Sequence, residues 1–294
     1  MIFEKLVEVR SDGILEREHY GAFVVVDFDG KIIFNKGDVE KTKFFMHSSF
    51  KPFQALPIIR SGAYSEFDFN LEQLAVCSAS HSGTIEHIEI VKSILAKIGL
   101  AENCLKCGTH PPLDRNARFE LIRQNQEPTV FHHNCSGKHA GMLAVCVKNG
   151  WDVSNYTSFD HPLQQEIFDI FLEFCDEKID TEKTRDGCGT PLWATSLYKS
   201  AYGALNLFFS KDGYLLKEAF SQHPLLIGGE ERLDSSIIAK SNGKLIAKVG
   251  AEGFCIVINT ETKQSLAIKI ADGSMSAREE ALSVILKEFK WLIF

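Results

Sequence analysis

The stretch "HSSFKPFQ", residues 47–54, sets Ser48 three residues before Lys51. A lysine one helical turn after a serine shares its face and can take the hydroxyl proton, provided the amine is neutral. Neutrality requires desolvation or a nearby positive charge. Pro52 is tolerated in a first turn and costly in an interior, so a helix is expected to begin at Ser48. The competing reading is a serine cap followed by a solvated lysine, and motif frequency alone favours it. A second hydroxyl cluster, "CSASHSG" at 77–83, lies between two expected helices. Small hydroxyl residues suit a turn and a cap. The functional alternative makes Ser80 a second catalytic hydroxyl.

"HHNCSGKHAGML", residues 132–143, gathers three His, a Cys, a Lys and two Gly. Gly137 and Gly141 permit close backbone approach. Cys135 and His139, spaced i,i+4, could hold a metal on a helix. "RDGCGTP", residues 185–191, adds Asp186 and Cys188 in a Gly-flanked turn. By spacing alone buried thiols outrank a metal site here, because no two of these cysteines are close in sequence. Lys138 is not nominated on chemical grounds, since an ammonium cannot coordinate until it loses a proton. "CLKC", residues 104–107, has redox or zinc spacing but no second such pair, and reads as structural.

These groups need elements to carry them. "AFVVVDF" and "KIIF" meet at Asp29-Gly30, a hairpin signal, and "GKLIAKV", "FCIVIN" and "SLAIKI" repeat the pattern near the C-terminus. Helical spacing marks residues 84–98, with Thr84 as cap and Gly99 as stop, residues 161–175 behind Pro162, and a last helix from about Ser276. Strands at both ends and helices between predict an α+β fold. Residues 1–47 and 235–294 would form one antiparallel sheet lobe, with 48–234 inserted as a mainly helical lobe in a single catalytic domain, 1–294. The seam between lobes is the expected ligand site.

Composition bounds the partners. The 294 residues carry 32 Lys and Arg against 39 Asp and Glu, a net charge of −7. No basic run is present, so neither nucleic acid nor membrane is an expected partner. The start "MIFEKLVEVRSDG" lacks a signal-peptide core, and the eight cysteines are expected as thiols in the cytoplasm.

Six segments occur in this order: "SSFKP", "SASHSG", "CGTHPP" at 107–112, "HNCSGKHAGML", "DGCGTP" and "GAEG" at 250–253. Together they resemble the asparaginase II family of metal-carrying Ser/Lys amidohydrolases, over essentially the whole chain. The resemblance implies a fold similar to glutaminases and serine β-lactamases, and hydrolysis of L-asparagine to aspartate and ammonia. It implies two Ser–Lys pairs, Ser48 with Lys51 and Ser80 with Lys269 of "LAIKIADG". It implies zinc on Cys135, Lys138 and Cys188, in place of His139, and a homodimer. Asp186 is expected to bind the substrate ammonium and Asn134 another polar substrate atom. His47 stands where relatives are expected to carry Arg. Two alternatives remain: a penicillin-recognising Ser-x-x-Lys hydrolase, expected to carry Lys-Thr-Gly on a late strand, and a non-catalytic zinc or amino-acid-binding protein.

Overall fold

The computed structural model describes residues 2–292. From the N-terminal part come β1 (Glu4–Ser11), β2 (Ile14–Asp27) and β3 (Ile32–Lys36). Next are β4 (Lys43–Phe45), β5 (Lys183–Arg185) and β6 (Pro191–Ser196), which make a small separate sheet in the order β4-β6-β5. The C-terminal part supplies β7 (Leu245–Val249), β8 (Phe254–Asn259) and β9 (Gln264–Ile270).

The main sheet runs β1-β2-β9-β8-β7, antiparallel throughout. The two ends of the chain therefore close into one sheet, as expected, where β2 pairs β9 from Gly21↔Ile270 to Asp27↔Gln264. β3 pairs Phe23–Val26 along the other edge of β2. The hairpin turn is fixed by Gly30, whose φ of 81° suits a residue without Cβ. β7 and β8 are buried at every position, because helices cover the sheet on both faces. Helix Leu197–Phe209 lies against β2 and β9, and helix Met275–Glu288 against β9 and β1.

Helix Leu233–Lys240 packs on β7, and most of the remaining helices form the inserted lobe. Helix Lys51–Arg60 packs on helices Ser136–Asn149 and Pro162–Cys175. Helix Ile85–Lys97 starts after Thr84 and buries Ile88, Val91, Ile94 and Leu95; Ile85, which the periodicity assigns to the same face, is exposed. The middle of the chain also holds β5 and β6, joined by β4 from the N-terminal segment, which the pattern of helices does not suggest. β6, "PLWATS", is buried at all six positions, so it shows neither strand alternation nor helical spacing. No helix among the described residues is long and apolar enough to cross a membrane.

Candidate active site

The serine of the Ser-x-x-Lys motif lies in a single 3-10 turn, His47–Phe50, and the α-helix starts at Lys51 with Pro52 in its first turn. The bland reading fails on both counts. Ser48 makes no side-chain cap bond to this helix, and Lys51 is fully buried rather than solvated.

The turn is pressed onto the end of β7. Ser49 Oγ donates to the Lys248 carbonyl at 2.7 Å. A Cβ on Gly250 would lie 2.4 Å from the Met46 carbonyl oxygen, so only glycine lets the turn sit this close. His47, just before Ser48, is held at φ 48°, an uncommon left-handed conformation for a non-glycine residue.

Lys51 points across the lobe. Its Nζ donates to Ser80 Oγ at 2.9 Å, to the Ala79 carbonyl at 2.5 Å and to the Asn134 carbonyl at 3.2 Å. Three acceptors match the three hydrogens of an ammonium. Ser80 is brought there by close packing beneath its loop: a Cβ on Gly137 would meet the Val76 carbonyl oxygen at 2.3 Å, so helix Ser136–Asn149 abuts the end of helix Leu71–Cys77. The Ser80 amide is held by the Ile227 carbonyl at 3.0 Å. Ser80 is 2% exposed, whereas Ser48 is only partly buried.

The second pairing differs from the sequence reading. Lys269, on β9, gives its ammonium to the carbonyls of Glu252 and Ile270 rather than to Ser80. β9 is interior to the sheet, between β2 and β8, whereas the serine turn packs on β7 and β8. The lysine of the sheet that borders the turn is Lys248, buried on the edge strand β7 and paired with the buried Asp234 at 2.9 Å. Burial pushes the Lys248 pKa down to about 8 against the pull of Asp234, and the charge of Lys51 adds to the depression. Its sequence signal is slight: one charged residue inside the apolar run "LIAKV", two positions before Gly250.

A thiol cluster lies on the other side of Asn134. Sγ of Cys135, Sγ of Cys188 and a carboxylate oxygen of Asp186 fall within 4.8 Å of one another. Lys138 Nζ, buried, lies 2.9 Å from Cys188 Sγ and 2.8 Å from Thr190 Oγ1. The three residues named by the family resemblance are thus adjacent, although they span 135 to 188 in sequence. Their protonation states are strongly coupled. The Cys135 thiol donates to Cys188, which, with Lys138 and against burial, holds the Cys188 thiol far below its ordinary range. Donating that proton, together with burial, holds the Cys135 pKa high. Burial alone would lower the Lys138 pKa, but the charges of Cys188, Cys135 and Asp186 raise it above its usual value. Two thiols and an amine converging with a carboxylate form a soft N/S donor set of the kind zinc takes. The residues fit that ion. Asp186, beside the cluster, also faces His47 Nδ1 at 3.6 Å; that contact and Lys138 outweigh burial and lower its pKa.

Asn134 is tied in twice. Its carbonyl accepts from Lys51, and its backbone N–H donates to His110 Nε2 at 3.0 Å. All eight cysteines are free thiols, and in the "CLKC" stretch Cys107 is buried while Cys104 is partly exposed. A groove of about 780 Å³ opens behind Gly83, between helices Ile85–Lys97 and Arg115–Arg123, but Ser48, Lys51 and Ser80 do not line it.

The sequence pattern of L-asparaginase II matches residues 7–293, nearly the whole chain. The protein belongs to the asparaginase II family. That family is one of hydrolases, and this chain is a hydrolase of it. No curated protein matches the sequence significantly. Among solved structures, the chain is similar to a Bacteroides dorei protein given provisionally as a β-lactamase, at 12% identity, covering 91% of this chain and 93% of that one, with a TM-score of 0.49. It is also similar to a Mycobacterium bovis β-lactamase, at 11% identity over 92% and 94%, TM-score 0.40. A third is EstCE1, a hydrolase with promiscuous acyltransferase activity, at 12% identity over 89% and 93%, TM-score 0.43.

Proposed function

We propose that this family member hydrolyses the side-chain amide of L-asparagine to L-aspartate and ammonia, with Ser48 as nucleophile. The observation that carries the reading is Lys51: wholly buried, one turn after Ser48, and hydrogen-bonded to Ser80 Oγ at 2.9 Å. Ser48 is the more accessible serine and can meet a substrate carbonyl, and Ser80, buried and bonded to Lys51, is assigned the role of proton relay.

An amide is a poor electrophile, so the attacking oxygen must lose its proton as it bonds. Lys51 as a neutral amine takes the Ser48 proton, directly or through Ser80, while Oγ adds to the amide carbon. Backbone N–H groups beside Ser48 hold the oxyanion. The C–N bond breaks as the nitrogen takes the proton from Lys51, and ammonia leaves. Water then adds to the ester, giving a proton back to Lys51. Ser48 recovers that proton as aspartate departs. Lys248, rather than Lys269, is the second lysine of this scheme. Burial holds the Lys248 pKa down to about 8, although its partner Asp234 pulls the other way. Asp186 receives the substrate ammonium, and Asn134 another polar atom of the substrate.

Cys135, Lys138 and Cys188 would hold zinc, which when bound would supply a cation that fixes the substrate α-groups or lowers the pKa of its neighbours. A metal assay on protein purified without chelator should find about one equivalent. Full retention of metal by the Cys135→Ser, Cys188→Ser double variant would refute the site. The reducing-compartment thiols and the family resemblance support a cytoplasmic homodimer.

The penicillin-recognising alternative gains from one observation. The strand bordering the serine turn ends in Lys248-Val249-Gly250, close to the expected Lys-Thr-Gly. Ammonia release from L-asparagine, set beside turnover of nitrocefin, separates the two. The amidase reading expects the first and not the second.

A further inference from the structure

Arg278 sits in the first turn of helix Met275–Glu288 and is 2% exposed. That place is doubly unfavourable for a guanidinium: the positive end of the helix dipole opposes it, and burial strips its water. Its ion-pair partner among the described residues is Glu279, exposed and 3.8 Å away. Its Nε is buried with no hydrogen-bond partner. What the guanidinium does hold is backbone. Nη1 donates to the Gly250 carbonyl at 3.0 Å and to the Phe254 carbonyl at 3.3 Å. These two residues also bond to each other, the Gly250 N–H donating to the Phe254 carbonyl at 2.9 Å, and so close the turn between β7 and β8. The "GAEG" segment, 250–253, is that turn.

A second cation grips the same turn. Lys269, which the family resemblance sets beside Ser80, donates to the carbonyls of Glu252 and Ile270 instead. Glu252 needs such a hold: its φ of 55° is uncommon for a residue with a Cβ, and it persists only where the surroundings fix it. The turn matters because the serine turn rests on it. A Cβ on Gly250 would lie 2.4 Å from the Met46 carbonyl oxygen and 3.2 Å from Ser49 Oγ, and these two residues bracket Ser48.

We propose that Arg278 and Lys269 are positioning residues, two cations that pin the 250–253 turn as the fixed surface on which the Ser48 turn is set. Neither touches the reacting atoms. Arg278 acts through the Gly250 carbonyl and Lys269 through that of Glu252. One nitrogen bridging the carbonyls of Gly250 and Phe254 ties both arms of the turn together, which a single bond to either arm would not do. This inference rests on the Ser48 reading above for its effect on turnover.

The test is steady-state turnover of L-asparagine by full-chain variants, with urea unfolding of each. Arg278→Met should lower kcat about 10- to 100-fold, the range for misplacing a reacting group by near 1 Å, with KM little changed. Arg278→Lys, which keeps a charged donor, should recover most of that loss. Lys269→Met should lower kcat by a smaller factor, far short of the loss from Lys51→Met. Leu282→Ala opens a cavity in the same helix and is the baseline for a purely structural effect: it should cost stability and leave kcat near the parental value. Equal kcat in Arg278→Met and Leu282→Ala overturns the proposal. A Lys269→Met loss as large as that of Lys51→Met also overturns it, since Lys269 would then be a base. Lys269 is only partly buried, so Lys269→Met folds even where Arg278→Met does not, and its parental kcat would likewise overturn the proposal. If the parent releases no ammonia, the amidase reading fails by itself. The hold on the turn is then judged by hydrogen exchange: residues 46–50 should exchange faster in both Met variants than in the parent, with helix Ile85–Lys97 unchanged. Equal exchange at 46–50 overturns the proposal.

Discussion

At the scale of single residues, the types and spacing around Ser48 and Lys51 were legible, but their partners were not. Lys51 finds Ser80 across 29 positions, and the buried lysine beside the serine turn is Lys248, while Lys269 faces the carbonyls of Glu252 and Ile270. Both depend on which strand reaches the edge of the sheet, which no short window contains. Ser48→Ala and Lys51→Met should each lower kcat on L-asparagine by about 10³-fold or more, as for removal of a nucleophile or its base. Ser48→Ala should leave unfolding nearly unchanged, because the hydroxyl caps no helix. Loss of the fold in this variant would contradict the role assigned to Ser48. The pH profile tests the lysines. Burial lowers the Lys248 pKa to about 8, so that amine loses its proton as pH rises through that value. kcat/KM should climb from pH 6 to about 8 and then level. A profile flat over that interval speaks against an amine base.

At the scale of elements, long amphipathic helices and the terminal hairpins declared themselves by period. Short strands buried on both sides did not, as with "PLWATS" of β6. β1, "EKLVEVRS", is mostly solvated and charged, and reads as an ordinary N-terminus until β2 pairs with it. What assembles the site is close approach between elements. Gly250→Ala would drive a Cβ against the Met46 carbonyl oxygen, now 2.4 Å from that position, and must push the serine turn off β7. The expected result is a loss of about 1–3 kcal/mol in unfolding free energy. kcat/KM should fall by up to about 10²-fold, the sensitivity of a site to misplacement near 1 Å. Gly187→Ala, with nothing within 4 Å of its new Cβ, is the stability control and should stay within about 0.5 kcal/mol. Equal stability of the two variants in urea denaturation would contradict the packing argument. The thiol cluster has its own dependence. Cys135 and Lys138 both hold protons in the metal-free protein, so zinc uptake should release about two protons and weaken as pH falls. Calorimetry in buffers of different ionisation enthalpy counts them.

At the scale of the whole molecule, closure of both chain ends into one sheet around an inserted lobe followed from the order of strand and helix patterns. The acid limit of stability follows from burial. His81 and His87 stack at 5.0 Å between ring centres inside the protein. Burial holds the His87 pKa down to about 4 and that of His81 well below 6.5, where the charge of His87 adds to the depression. The unfolded chain binds these protons from about pH 6.5, so it gains protons over the folded state as pH falls. Stability is full above pH 6.5 and drains below it. From pH 7 to 5 the unfolding free energy should drop by about 2–4 kcal/mol in urea titrations; equal values at both pH would mean that these rings charge freely in the fold. The central claim is the chemistry of Ser48 and Lys51, and ammonia release from L-asparagine tests it most directly. Purified protein should release one ammonia per aspartate formed, with a trapped acyl group on Ser48 and no turnover in Ser48→Ala. No ammonia from the parent, or undiminished release from Ser48→Ala, would contradict the account.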